Sequence, residues 1–222
     1  SLHDALPISN IQGGSEVYSN TSNTVAQIVD STVEGYGVDV TSNSSSHGKI
    51  DATHVVASIE DAVGIDLAET TDNNNTVALI SGNTNIDTRT GKLNVHATSD
   101  TDLSSEKATV SVALVEGVKV AKNEVNASSV TKALIENVTG EIKASGIEIV
   151  SDYNKMSVSS KSNVTSVTGV SLASWKKNTT LMNADFISGI NSPNLSIVNT
   201  GATLIETAKG NNSEKITSVS QI

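Results

Sequence analysis

The chain reads as an all-β protein: a right-handed parallel β-solenoid (β-helix) built from about four repeats of roughly 52 residues. Three observations predict this. Short motifs recur at a near-constant spacing, which is the signature of stacked repeats. Within each motif apolar residues alternate with polar ones, and a helical period near 3.6 is not sustained. The apolar residues are mostly Val, Ile, Ala and Leu, while Phe, Trp and Tyr together make up 2% of the chain. Small and β-branched side chains suit a thin core between closely stacked strands. An antiparallel β-sandwich or prism with one repeat per sub-domain is the alternative, since Asp72-Asn-Asn-Asn75 is long enough for a hairpin turn.

The stretch 108–121, ATVSVALVEGVKVA, is the first element. Its second half is echoed by AVGIDLA at 62–68 and VTGVSLA at 167–173, with Gly64, Gly117 and Gly169 as the aligned glycines. The period-two pattern puts Ala108, Val110, Val112, Leu114, Val118 and Val120 on one face, expected to be the core. Thr109, Ser111 and Lys119 fall on the other, expected to meet solvent. The preceding unit repeats the pattern with Val55, Ala57, Ile59, Val63, Ile65 and Leu67. The following unit is more polar, with Ser160, Ser162, Val164, Ser166 and Thr168.

A second element is TVAQI, TVALI, TKALI and MNADF, with Ala26, Ala78, Ala133 and Ala184 aligned. A third is a short alternating strand: Val38-Asp-Val40, Leu93-Asn-Val95, Ile147-Glu-Ile149 and Leu195-Ser-Ile197. Asn23, Asn75, Asn126 and Asn178 recur at the same period and read as turn residues. If those turns stack, their amides form a hydrogen-bonded ladder. One repeat has too few apolar residues for a core of its own, so neighbouring repeats must cover each other. We expect two coils of about 26 residues per repeat, giving eight coils and a rod roughly 35–40 Å long at the inter-strand spacing.

Composition excludes several classes. The net charge is −10 with a single arginine, Arg89, which argues against nucleic acid as a partner. Acids outnumber bases 13 to 3 over residues 1–100 and match them 11 to 11 over 101–222, a gradient that fits an elongated object. With no cysteine, disulfides and thiolate metal sites are ruled out. No apolar run approaches the roughly 18 residues of a membrane span, so no membrane insertion by this segment is expected.

Residues 1–8, SLHDALPI, resemble the translation of a sequencing-library adapter. Residues 1–9 are therefore read as a non-native, disordered scar, and 10–222 as one repetitive segment of a larger protein. Val219 aligns with Val167 and Val115, so the chain is expected to stop inside a fourth unit. A segment cut from its neighbouring repeats is expected to expose open strand edges and to be marginal or sticky.

The order AVGIDLA, NNTVALI, TGKLNVHATS over 62–99 resembles repeats of large bacterial filamentous-haemagglutinin-like adhesins, especially the leukotoxin-type filamentous branch and related autotransporter passengers. The resemblance runs from Asn20 to the end and is best in that unit. It implies a β-helical shaft, export to the bacterial surface or beyond, and attachment to a host cell surface or extracellular matrix through glycan or protein. It transfers no catalytic residue.

Catalytic, cofactor and metal residues are each expected to be none. His47, His54 and His96 fall in different registers and form no HExxH or ligand pair. Glu60, Asp61, Asp66 and Glu69 read as a solvated face alternating with apolar positions rather than a calcium site. Arg89 and Lys92 stand near Asp87, one turn of charge rather than a cleft of carboxylates. Trp175, between the third copy of the strand and Lys176-Lys177, reads as a cap on an apolar edge or as a surface contact. The expected function is a structural and adhesive shaft without catalysis, its partners being a host surface and neighbouring repeats. The alternative is a β-helical carbohydrate-active enzyme or phage tail-spike fragment.

Overall fold

A computed structural model describes residues 9–59, 61–201, 205–209 and 214–221. Residues 1–8, which carry the expected scar, lie outside the described residues, whereas the backbone of Ser9 pairs with Asp61. The described chain contains strands and no helix. The strands are β1 (Ser9–Val29), β2 (Thr32–Glu34), β3 (Val38–Ser58), β4 (Asp61–Gly82), β5 (Asn85–Asp87) and β6 (Lys92–Val138). They continue with β7 (Glu141–Ala144), β8 (Gly146–Asp152), β9 (Met156–Asn191), β10 (Ser196–Asn199), β11 (Ile205–Lys209) and β12 (Glu214–Gln221).

Every described strand pairing is parallel, which removes the antiparallel sandwich. Successive partners lie one repeat apart: Ser9 opposite Asp61, Val38 opposite Leu93, Asp61 opposite Glu116. The fold is thus a parallel β-solenoid with one coil per repeat, not two of about 26 residues. The reason is strand length. β1, β3 and β4 run 21, 21 and 22 residues, about 70 Å at the rise of a strand.

Each coil is a long, flat wedge. One strand runs out along a first long face (β3, the first half of β6, β8 with the first half of β9). The chain turns near Ile59 and near residues 115 and 170 and returns along a second long face (β1, β4, and the second halves of β6 and β9). The two halves of β6 pair with β3 and β4 in turn, with a register break between Ala113 and Glu116. At the far end the four short strands β10-β7-β5-β2 form a third, narrow face. We call that end the base and the turns near Ile59 and residues 115 and 170 the tip. Side chains reach across between the long faces, as in Ser44–Thr76, Ser99–Thr131 and Ser160–Thr180 at 2.6–2.7 Å. The result is a blade, broad along the strands and only about 15 Å from first coil to last, not a rod.

The corner between the second face and the base is the same in three coils. Asp30, Gly82 and Asn137 have φ of 48°, 73° and 55°. Asp, Gly and Asn are the residues that enter this left-handed region at least cost. Asp30 also accepts a 2.8 Å hydrogen bond from the amide of Asn83 in the next coil, so the corners are stitched together. Nearby, Gly91 passes so close to its neighbour that a Cβ would lie 2.0 Å from the Tyr36 carbonyl oxygen.

The base holds the apolar core: Val38, Val40, Ile80, Ile86, Leu93, Val95, Ile135, Ile142, Ile147 and Ile149, with Ala78, Ala97 and Ala133. The alignments Ala26–Ala78–Ala133 and Val38–Leu93–Ile147 are true ladders. The fourth copies are not. Ala133 faces Ser188 rather than Ala184, and Ile147 faces Ile205 rather than Leu195. Ile197 instead pairs with Ile142 on the narrow face. Gly64 lies opposite Lys119, two positions from the expected Gly117, and Val219 lies opposite Lys161 rather than Val167.

The faces of 108–121 are the reverse of those expected. Thr109, Ser111 and Lys119 are fully buried, while Leu114 is 72% exposed and Val112, Val55, Ile65 and Leu67 also stand outside. Pleat parity explains this. On the outgoing half of β6 the inward positions are fixed at the base by Leu93, Val95 and Ala97 and held by Leu103. Alternation then carries Ser105, Lys107, Thr109 and Ser111 inward, whatever their polarity, because no bulge intervenes before Ala113. The return half is set likewise by Ala121, Val125, Ala133 and Ile135.

Candidate functional site

Three features on this frame carry chemistry. The first is the interior of the tip, which is polar where the base is apolar. Asp72 is buried and accepts hydrogen bonds from Asn20 and Ser46 on one oxygen and from Asn74 on the other, each at 2.7 Å. Asn123 donates to the carbonyls of Ser105 and Lys161 at 2.9 and 3.0 Å. Nearer the turn, Asp66 is fully buried and bonded by His54 and Thr109, with Lys107 and Glu16 beside it. The Lys119 ammonium and Ser111 hydroxyl are buried on the inward face without a hydrogen-bond partner among the described residues. Burial holds the Lys119 ammonium below its usual pKa.

The second feature is the outside of the tip. The ladder Ile65–Val120–Trp175 runs up the second face and Ala57–Val112–Val167 up the first. Trp175 is 73% exposed and lies opposite Val120 on β9. It joins Val120, Ala121, Lys122, Lys176 and Lys177 around a shallow, almost wholly apolar groove of about 210 Å³. Burial lowers the pKa of Lys176. At the rim Lys122 and Glu124 pair at 2.7 Å, and that hydrogen bond raises the lysine's pKa and lowers the carboxyl's.

The third is on the narrow face. Glu34, Asp87 and Lys143 occupy matching positions of successive short strands. With Glu141 they line a second groove of about 210 Å³. Arg89 lies at its edge, 3.8 Å from Glu34 and stacked 5.0 Å over the Tyr36 ring. Lys143 and Glu141 pair at 3.1 Å, which raises the lysine's pKa. The charge around Asp87 thus belongs to a groove with three carboxylates, assembled from three coils, which no local reading of 87–92 reveals.

The other predicted residues disperse. His47 is exposed and contacts Ser45, His96 sits 3.5 Å from Glu148, and Lys92 is exposed. Asp66 points inward and Glu69 outward, so they do not converge; the side chains of Glu60 and Asp61 lie outside the described residues. The asparagine ladder forms once: Asn75 donates to Asn23 at 2.8 Å. Both lie within long strands rather than turns, and Asn126 and Asn178 are opposite Thr71 and Asn123 instead. Comparison with protein-family models, curated proteins and solved structures gives no match.

Proposed function

We propose that this chain is a shaft segment of a secreted or surface-displayed bacterial adhesin, structural and adhesive rather than catalytic. The observation that carries the reading is the parallel stacking of one coil per repeat: each coil offers the next the same hydrogen-bonding edge, so further repeats lengthen the shaft without a new design. The apolar ladders and Trp175 on the outside supply a surface for host protein or glycan, since aromatic and apolar groups framed by charge are typical contact material. The test is binding of the labelled segment to host cells and matrix proteins, with Trp175→Ala beside it. Saturable binding that weakens in the variant supports adhesion through this face. Absence of binding across cell types removes the adhesive half and leaves a spacer.

The groove with Glu34, Asp87 and Glu141 favours a second reading, a carbohydrate-active β-helix, because glycosidic cleavage needs paired carboxylates. Release of oligosaccharide from a polysaccharide panel, abolished by Asp87→Asn or Glu141→Gln, would replace the first reading with this one.

A further inference from the structure

The interior of the tip contains a lysine and an aspartate buried together. The side chains of Lys107 and Asp66 are 1% and 0% exposed, with Nζ 3.9 Å from Oδ1. Nζ is held in place: it donates to the Leu67 carbonyl at 2.9 Å and to the Glu16 carboxylate. Both oxygens of Asp66 are gripped, Oδ1 by His54 Nδ1 at 2.5 Å and Oδ2 by the Thr109 hydroxyl. His54 and Glu16 reach the surface, with side chains 26% and 39% exposed. Gly14 makes room for the cluster; a Cβ there would lie 3.1 Å from Asp66 Oδ1, 3.4 Å from His54 Nδ1 and 3.6 Å from Glu16 Oε1. The set does not repeat. The ladder neighbours of Asp66 are Gly14 and Ala121, and those of Lys107 are Ala52 and Ser162. A generic shaft contact would recur from coil to coil.

We propose that Lys107 and Asp66 condense into an intramolecular amide that staples the two long faces of the blade together. This goes beyond the shaft reading and does not depend on it. The arrangement has the parts the reaction needs. Lys107 is the nucleophile, Asp66 the electrophile, Glu16 the proton acceptor at nitrogen, and His54 and Thr109 the donors that draw electron density from the carboxyl. Lys107 enters as an ammonium and Asp66 as a carboxylate. Glu16 takes one proton from Nζ, and the freed lone pair attacks Cγ. A carbon–nitrogen bond forms and one carbon–oxygen bond of the tetrahedral adduct breaks. The departing oxygen, protonated from His54, leaves as water. The second nitrogen proton also departs and one remains on the amide, so two of the three ammonium protons leave with one carboxylate oxygen. Glu16 and His54 exchange their protons with solvent and return to their starting states. No oxidant or other reactant is required. Two effects drive the step. The fold holds both groups together, which replaces a bimolecular encounter. The product also carries no charge, so the cost of keeping an ion pair out of water disappears.

The experiment is intact-mass measurement of the purified 222-residue chain, followed by tryptic peptide sequencing. The expected mass is below the sequence mass by one water. Peptide 93–119, uncleaved at Lys107, should be joined to peptide 50–89 through Lys107 and Asp66. Lys107→Arg and Asp66→Ala should restore the full mass of their sequences. Asp66→Asn should lose ammonia instead of water, a signature that a purely structural contact does not give. Wild-type chain at full mass with Lys107 in a linear peptide overturns the proposal. So does a water loss that persists in Lys107→Arg, or a bond mapped to Glu16 rather than Asp66.

Discussion

The base and the tip of the blade are made by the same strands and solve burial in opposite ways. At the base, the core positions are Ile, Leu, Val and Ala, and the cluster they form is apolar. Toward the tip, the same pleat buries Asp66, Thr70, Asp72, Thr76, Lys107, Thr109 and Lys119, and puts Val55, Val112 and Leu114 outside. Such an interior holds only if its polar groups find partners, because an unpaired buried polar group costs what it would have gained from water. Most do, through bonds spanning the thin gap between the faces. The comparison teaches that in a long strand, side-chain polarity does not choose the face residue by residue. The strongest apolar run chooses, and the rest of the strand inherits its parity.

Substitutions can break or sharpen that contrast. The largest effect belongs to the base: Ile135→Ala should lower unfolding free energy by about 2–5 kcal/mol, as a large-to-small change in a closed core does. Chemical denaturation measures it, and a loss below about 1 kcal/mol would mean that the base is not the anchoring core. Next is Asp72→Ala, which leaves Asn20, Ser46 and Asn74 without their acceptor and should cost about 1–3 kcal/mol. Asp72→Asn should recover part of this.

Lys119→Met should stabilise the chain at neutral pH, since it replaces an unpartnered buried ammonium by an apolar chain of similar reach. The pH dependence carries the sign. Lys119 has a pKa below 10.5 when folded, so the unfolded chain binds more protons between that lowered value and 10.5. This contribution makes wild-type stability rise with pH across that window, and stability denied by the buried ammonium at lower pH is regained as it deprotonates. In Lys119→Met that component of the slope should vanish; an unchanged slope would show that Lys119 meets solvent. The smallest effect is Leu114→Ser, within about 0.5 kcal/mol, because Leu114 is already outside. A loss of several kcal/mol there would restore the apolar-inward face that 108–121 shows in isolation.

The repeat and the parallel class were legible because Val38–Leu93–Ile147 and Ala26–Ala78–Ala133 are ladders whose spacing survives in the chain. Coil size was not, since a polar stretch such as 70–76 reads locally as a turn while the fold runs it through as strand. The face of 108–121 was misread because parity is decided fifteen residues away at Leu93. The Lys107–Asp66–Glu16 cluster was invisible for a related reason. Its members come from three strands, β6, β4 and β1, and meet only when the coils stack.

The breadth of the coil has a mechanical consequence. Along β1 and β4 alone, 21 consecutive residue pairs join one coil to the next, in strands that run across the stacking direction while the bonds between them point along it. A force pulling the chain ends apart along the stack either parts such a line all at once or peels it from one end, and peeling meets only a few bonds at a time. Unravelling should therefore proceed coil by coil from an exposed edge. Each event would release one repeat of chain, roughly 180 Å at full extension. A coil stapled between its long faces would pay out less, so the length of each step in a single-molecule pulling trace would report which coils are free to unwind.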